Sequence, residues 1–145
     1  MKCNQRKIAI IGLGYVGLPL LVTCAQSGWL AIGVDSNPSK IKDLSQGRSS
    51  IEDISDRQIQ ELLEKGHIQF SSSETIIEEA EVIVFCLPTP ILNKRPDLTI
   101  LLSAIRSYAP YFKDGALIVS ESSSYPGTLR HEIVPICENF KENKR

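Results

Sequence analysis

Three glycines at positions 12, 14 and 17 stand in the pattern Gly-x-Gly-x-x-Gly, and Asp35 follows 18 residues after the last of them. Glycines at this spacing let a backbone close around a phosphate. Gly12 serves the tight turn out of a strand, Gly14 admits the phosphate without a Cβ in the way, and Gly17 lets the following helix sit close on that strand. A pyrophosphate would then rest at the amino end of the helix, where unpaired N–H groups and the helix dipole favour negative charge. Tyr15 and Val16 complete the binding loop. Asp35 closes the apolar run Leu30-Ala-Ile-Gly-Val34, placed to accept hydrogen bonds from a ribose diol and to repel a 2′-phosphate. The chemistry expected of these residues is dinucleotide binding, with NAD preferred over NADP. A glycine-rich turn in another kind of α/β protein would share the three glycines. It would lack the strand-like run before them, the helix-like run after them and the acid at the end of the next strand.

Two further segments carry polar groups at the ends of apolar runs: Cys86-Leu-Pro88-Thr89-Pro90 and Glu121-Ser122-Ser-Ser124-Tyr-Pro-Gly-Thr128. Prolines stiffen both, while their hydroxyls and free N–H groups offer contacts to a ribose, a nicotinamide or a substrate. Thr128 reads equally well as a helix cap. The four cysteines, Cys3, Cys24, Cys86 and Cys137, form no Cys-x-x-Cys and have no histidine at ligand spacing, so neither a disulfide framework nor a metal site is expected. Cys24 and Cys86 lie in apolar settings and read as buried thiols. His67 and His131 receive no role.

The elements that would position these groups alternate strand and helix. Strands are predicted near residues 7–11, 30–34, 67–70, 82–86 and 116–120, with helices near 15–27, 38–46, 56–65, 74–79, 98–109 and 127–138. Such alternation calls for a parallel sheet with helices on both faces, an α/β Rossmann-type doubly wound fold of five strands. Arg57, Ile59, Leu62 and Leu63 belong to an amphipathic helix that lengthens the second crossover, and Gly66 stops it. In a sheet of this kind ligands sit beyond the carboxyl ends of the strands, where all three polar segments fall. Residues 8–34 contain no charged side chain, which raises the alternative of a membrane span. Glycines at 12, 14, 17 and 28, Pro19 and the central Gln26-Ser27 argue against it. With 145 residues, 42% hydrophobic and 23% charged, and a net charge of −1, the chain reads as one soluble cytoplasmic domain with no nucleic-acid or membrane partner. Its start has no signal-peptide pattern.

Taken together, Gly12-Leu-Gly-Tyr-Val-Gly-Leu-Pro19, Asp35 with Asn37 and Lys40, Leu87-Pro-Thr-Pro90, Pro96-Asp-Leu98 and Glu121-Ser-Ser-Ser-Tyr-Pro-Gly-Thr128 resemble the amino-terminal NAD-binding domain of the UDP-sugar 6-dehydrogenases. The resemblance runs from residue 7 to about 138, and the Tyr-Pro-Gly-Thr and Pro-Asp-Leu segments are most similar to the branch acting on UDP-N-acetylglucosamine or UDP-N-acetylmannosamine. It implies an oxidation of a sugar's primary alcohol to a carboxylate in polysaccharide biosynthesis. A hydride is removed, the aldehyde is captured on a cysteine, a second hydride is removed and the thioester is hydrolysed, with two NAD reduced. By this resemblance Gly12, Gly14 and Gly17 hold pyrophosphate, and Asp35 and Lys40 hold the adenosine ribose. Pro88, Thr89, Glu121 and Ser122 lie along the cofactor, and Ser124 takes the catalytic position near the attacking water.

The sequence also departs from that family. The Gly-Phe-Gly-Gly-x-Cys context of the catalytic cysteine does not occur, nor do the central helical region and the UDP-binding domain. Cys86 ends an apolar run with no basic neighbour to activate it, and is not expected to replace that nucleophile. The expectation is an NAD-binding domain over residues 1–140 with a charged tail at 141–145, a sixth strand missing, and NAD affinity without turnover of any UDP-sugar unless the remaining domains are supplied. The alternative is a non-catalytic NAD-binding or partner-dependent module that self-associates through an exposed edge strand. A complete small reductase of the hydroxyacid type is disfavoured, because no matching lysine or histidine segment follows.

Overall fold

The computed structural model describes residues 5–142. Strand β1 (Lys7–Ile11) leads into helix α1 (Gly17–Gln26), then β2 (Leu30–Val34), α2 (Pro38–Ser45), α3 (Asp56–Glu64), β3 (Ile68–Ser71) and, after one 3-10 turn at Glu74–Ile77, β4 (Val82–Phe85). A short hairpin of β5 (Ile91–Leu92) and β6 (Arg95–Pro96) precedes α4 (Thr99–Tyr108), a 3-10 turn at Ala109–Tyr111, β7 (Leu117–Ser120), a π-helical turn at Leu129–Ile133 and α5 (Val134–Glu142). Helix α5 extends to Glu142, and residues 143–145, the rest of the expected charged tail, lie outside the described residues, as does Cys3.

Five strands form one parallel sheet in the order β3-β2-β1-β4-β7. The register places Ser71, Val34, Ile11, Phe85 and Ser120 side by side, so the strands end in one row and their following loops share one edge. Because the chain winds one way from β1 to β3 and the other way from β4 to β7, a crevice opens at the β1/β4 boundary.

Alternation along β1 shows why the strands read as unbroken apolar runs. Ile8 and Ile10 pack on the face covered by α1, α2 and α3, with Leu21, Leu44 and Ile59. Ala9 and Ile11 pack on the opposite face with Phe85, Leu101 and Ile105, under α4 and α5. Both faces are buried, so no polar alternation survives in the sequence. The uncharged stretch 8–34 is therefore two strands and a ten-residue helix, and among the described residues no helix is long and apolar enough to cross a membrane.

Helix starts are set locally. Ser55 caps α3 through a reciprocal box: its Oγ accepts the Gln58 N–H at 3.3 Å while the Gln58 Oε1 accepts the Ser55 N–H at 2.9 Å. Asn37 caps α2, its Oδ1 accepting the N–H groups of Ser39 at 3.0 Å and Lys40 at 3.3 Å, with Pro38 at the first helical position. The amino end of α1 has neither a side-chain cap nor an acid in its first turn. At the opposite rim of the sheet, the Arg6 guanidinium lies 4.3 Å over the ring of Trp29, tying the entry of β1 to the corner before β2.

Candidate functional site

The loop after β1 is shaped by contacts that leave no room for side chains at two of its three glycines. Gly12 has φ of +95°, and a Cβ there would meet the Cys86 carbonyl and approach Leu87 Cδ2 to 2.9 Å. A Cβ on Gly17 would run into the Gly12 carbonyl oxygen. These two glycines hold β1, α1 and the β4 loop against one another. Gly14 differs, since nothing lies within 4 Å of the position its Cβ would take. The space beside Gly14 is where the backbone can receive a ligand, next to the uncapped amino end of α1. Tyr15 and Val16 stand outward at 78% and 59% exposure and form the lip of this opening.

The cleft beyond the strand ends has a volume of about 830 Å³, within the roughly 300–1,000 Å³ usual for small-ligand sites. Gly12, Gly14, Tyr15, Val16, Asp35, Lys40, Pro88, Thr89, Glu121 and Ser122 all line it. Gly17 is buried behind the loop and shapes the cleft without lining it. Ser124 is exposed and does not line it.

Asp35 is held in place by three donors. Its Oδ2 accepts the Leu13 N–H at 3.0 Å and the Lys40 ammonium at 2.8 Å, and its Oδ1 accepts the Asn37 N–H at 3.0 Å. Burial by itself would raise the carboxyl pKa, but the bond and charge of Lys40 and the two backbone N–H groups outweigh it and hold Asp35 below its ordinary value. A carboxylate offers about four lone-pair sites, so one on Oδ1 is left for a ligand hydroxyl without displacing a donor.

At the β4–β7 end, Ser122 Oγ accepts the Leu87 N–H at 3.0 Å and points its own hydroxyl toward the Phe85 carbonyl at 3.5 Å. This side chain, read from the sequence as a cofactor contact, clasps the two loops together. Thr128 is 2% exposed and donates to the Tyr125 carbonyl at 2.7 Å, closing the turn before the last helix rather than capping it. The Cys86 thiol is pushed up to about 11, first by burial and then by the Glu121 charge, the reverse of what a nucleophilic cysteine needs. Among the described residues no group of three metal-ligating side chains occurs.

Three lining residues on one helix escaped the sequence reading. Ile100, Ala104 and Tyr108 recur every four residues on α4 and present one stripe to the cleft, opposite Asp35. Tyr108 is 8% exposed, packs edge-on against Phe85 at 6.1 Å, and has its phenol pushed up to about 12 by burial and then by Glu74 and Asp35. The spacing was visible, but any amphipathic helix shows it. The apolar stripe with Leu87 suits a flat heterocycle, the open Gly14 a pyrophosphate and Asp35 a ribose, so the residues present fit a nicotinamide dinucleotide.

Residues 6–145 match the model of the UDP-glucose/GDP-mannose dehydrogenase family, NAD binding domain. The chain is 36% identical over 135 residues to UDP-N-acetyl-D-glucosamine 6-dehydrogenase of Pseudomonas aeruginosa, covering 92% of itself and 31% of that protein. It is 37% identical over 132 residues to UDP-N-acetyl-D-mannosamine dehydrogenase of Methanococcus maripaludis, covering 86% of itself and 30% of that protein. Among solved structures, a UDP-D-ManNAc dehydrogenase from Pyrococcus horikoshii superposes with a TM-score of 0.87 at 34% identity, over 94% of this chain and 32% of that one. The chain thus spans about a third of the length of the curated relatives it matches.

Proposed function

Starting from the premise that this chain belongs to the UDP-glucose/GDP-mannose dehydrogenase family and is its NAD-binding domain, we propose that it binds NAD in preference to NADP and serves the oxidation of a UDP-N-acetylhexosamine to its uronate. The observation that carries the preference is the Asp35 carboxylate, fixed by Leu13, Asn37 and Lys40 with one acceptor site toward the cleft. In this reading Gly14 and the start of α1 receive the pyrophosphate. Asp35 and Lys40 take the adenosine ribose, the stripe of Ile100, Ala104 and Tyr108 covers the adenine, and Thr89 and Glu121 flank the nicotinamide half. The dinucleotide supplies a hydride acceptor when bound. The chain's own residues bind and orient it, and Cys86, protonated at neutral pH, takes no covalent part.

Under this reading the chain alone does not turn over UDP-sugars, and Ser124 acts on the catalytic water only where the groups of the longer relatives are supplied. The domain extent of 1–140 and a cytoplasmic setting belong to the same reading. Calorimetric titration with NAD and NADP tests it: NAD binding that Asp35→Ala weakens by about tenfold or more is the expected result. Equal affinity for the two dinucleotides, or NADH formation from a UDP-sugar by the chain alone, would overturn it.

A second reading, a partner-dependent module, is favoured by β7. Among the described residues it pairs on one side only, with β4, and Leu117 on it is 59% exposed. Sedimentation of the native chain and of Leu117→Lys tests this: association lost in the variant supports it, and a monomer at high concentration rejects it.

A further inference from the structure

Lys40 is the single cation lining the cleft among the described residues, and it touches the residue that decides between NAD and NADP. Its side chain is 27% exposed and that of Asp35 only 11%, so this is not a fully solvated pair of little consequence. The same carboxylate also takes the N–H groups of Leu13 and Asn37 at 3.0 Å each. An ammonium and two backbone N–H groups converging on one point are the donor set that binds a phosphate. Asp35 fills it from within the chain. The start of α2 offers no substitute, because the Asn37 side chain already takes the N–H groups of Ser39 and Lys40.

We propose that Lys40, Leu13 N–H and Asn37 N–H form a latent phosphate site occupied by Asp35, so that removing this one carboxylate converts the chain from an NAD binder into an acceptor of the 2′-phosphate of NADP. The inference rests on the dinucleotide-binding reading and goes beyond it. Repulsion by Asp35 alone would make its loss merely permissive, whereas a built-in cation makes the loss productive and makes Lys40 indispensable to the gain. Lys40 is then a specificity-determining residue with opposite effects in the two backgrounds, helping to orient Asp35 in the native chain and pairing with the ligand once Asp35 is gone.

The test is calorimetric titration of the native chain, Asp35→Ser, Asp35→Asn, Lys40→Gln and the double variant Asp35→Ser/Lys40→Gln with NAD, NADP and 2′-AMP, each first checked for native circular dichroism. Asp35→Asn keeps an oxygen for one backbone N–H and so guards against loss of the local fold. The expected result is NAD binding weakened by about tenfold in both Asp35 variants, with NADP and 2′-AMP tightened by about tenfold or more. That gain should disappear in the double variant and decline with salt, as a phosphate–ammonium contact must. Two results would overturn the proposal: folded Asp35 variants that bind NAD but gain no NADP affinity, or a gain that persists without Lys40. Failure of the native chain to bind either dinucleotide would instead remove the reading on which it stands, a result distinct from both.

Discussion

The two ends of the cleft are built differently. Beyond β1 and β2 the groups hold one another: Asp35 has three donors, Asn37 closes its helix, and Gly12 and Gly17 lock the loop to its neighbours. Beyond β4 and β7 the loops are clasped at one point, Ser122, while Glu121 and Ser124 are exposed and the hydroxyls of Thr89 and Ser124 make no hydrogen bond among the described residues. The first end is preorganised by its own hydrogen bonds, whereas the second has fewer of them. Affinity follows preorganisation, so the proposed NAD binding draws most on the first end.

The contrast is lost altogether if the ordered end is forced apart. Gly17→Ala drives a Cβ into the Gly12 carbonyl, and a loss of about 3–5 kcal/mol or failure to fold is expected in urea titration, with no NAD binding. Next in size is the Cys86 thiol at the less ordered end. With its pKa near 11, its thiolate fraction at pH 8 is lower than that of an ordinary cysteine by roughly a hundredfold or more, and peptide mapping after alkylation should show it reacting correspondingly slowly. Ser122→Ala removes the clasp and leaves the Leu87 N–H without its partner, costing about 1 kcal/mol by denaturation.

Acid should act on the ordered end. Because the folded-state pKa of Asp35 is depressed, its contribution to stability is fully present above about 3.9 and is lost as pH falls through the lower folded value. Stability measured from pH 7 downward should therefore carry an acid limb that Asp35→Asn flattens. The smallest effect belongs to Ser124→Ala, expected to leave both stability and NAD affinity unchanged because the side chain is exposed and lines no part of the cleft.

Most of the frame was legible because each signal was local. The glycine spacing, the amphipathic pattern of Arg57, Ile59, Leu62 and Leu63 and the apolar runs placed the five main strands and the first four α-helices to within about two residues, whereas the helix expected at 127–138 is a π-helical turn followed by α5, which ends at Glu142. What escaped depended on contacts across the fold. The β5–β6 hairpin turns on Asn93 and Lys94, with φ of 51° and 64°; without the glycine of a usual two-residue turn it carries no sequence mark. The π-helical turn at Leu129–Ile133 likewise has no residue type that announces it. Asp35 and Lys40 were each legible as ligand-binding residues, but their bond to one another was not, since it depends on the Asn37 cap that starts α2 one turn ahead of the lysine.

The cation–π pair at the far rim has a practical corollary. Trp29 is the chain's single tryptophan, held under Arg6 just before β2, while Asp35 follows the other end of that strand, roughly 20 Å of extended backbone away. Its fluorescence is therefore a one-site optical probe of the sheet's amino-terminal margin. Emission should shift when denaturant opens that margin and should keep its wavelength as the distant cleft fills, while bound NADH, absorbing where tryptophan emits, would quench it by energy transfer. A single fluorophore would then separate unfolding, seen as a change of colour, from occupancy, seen as a change of brightness.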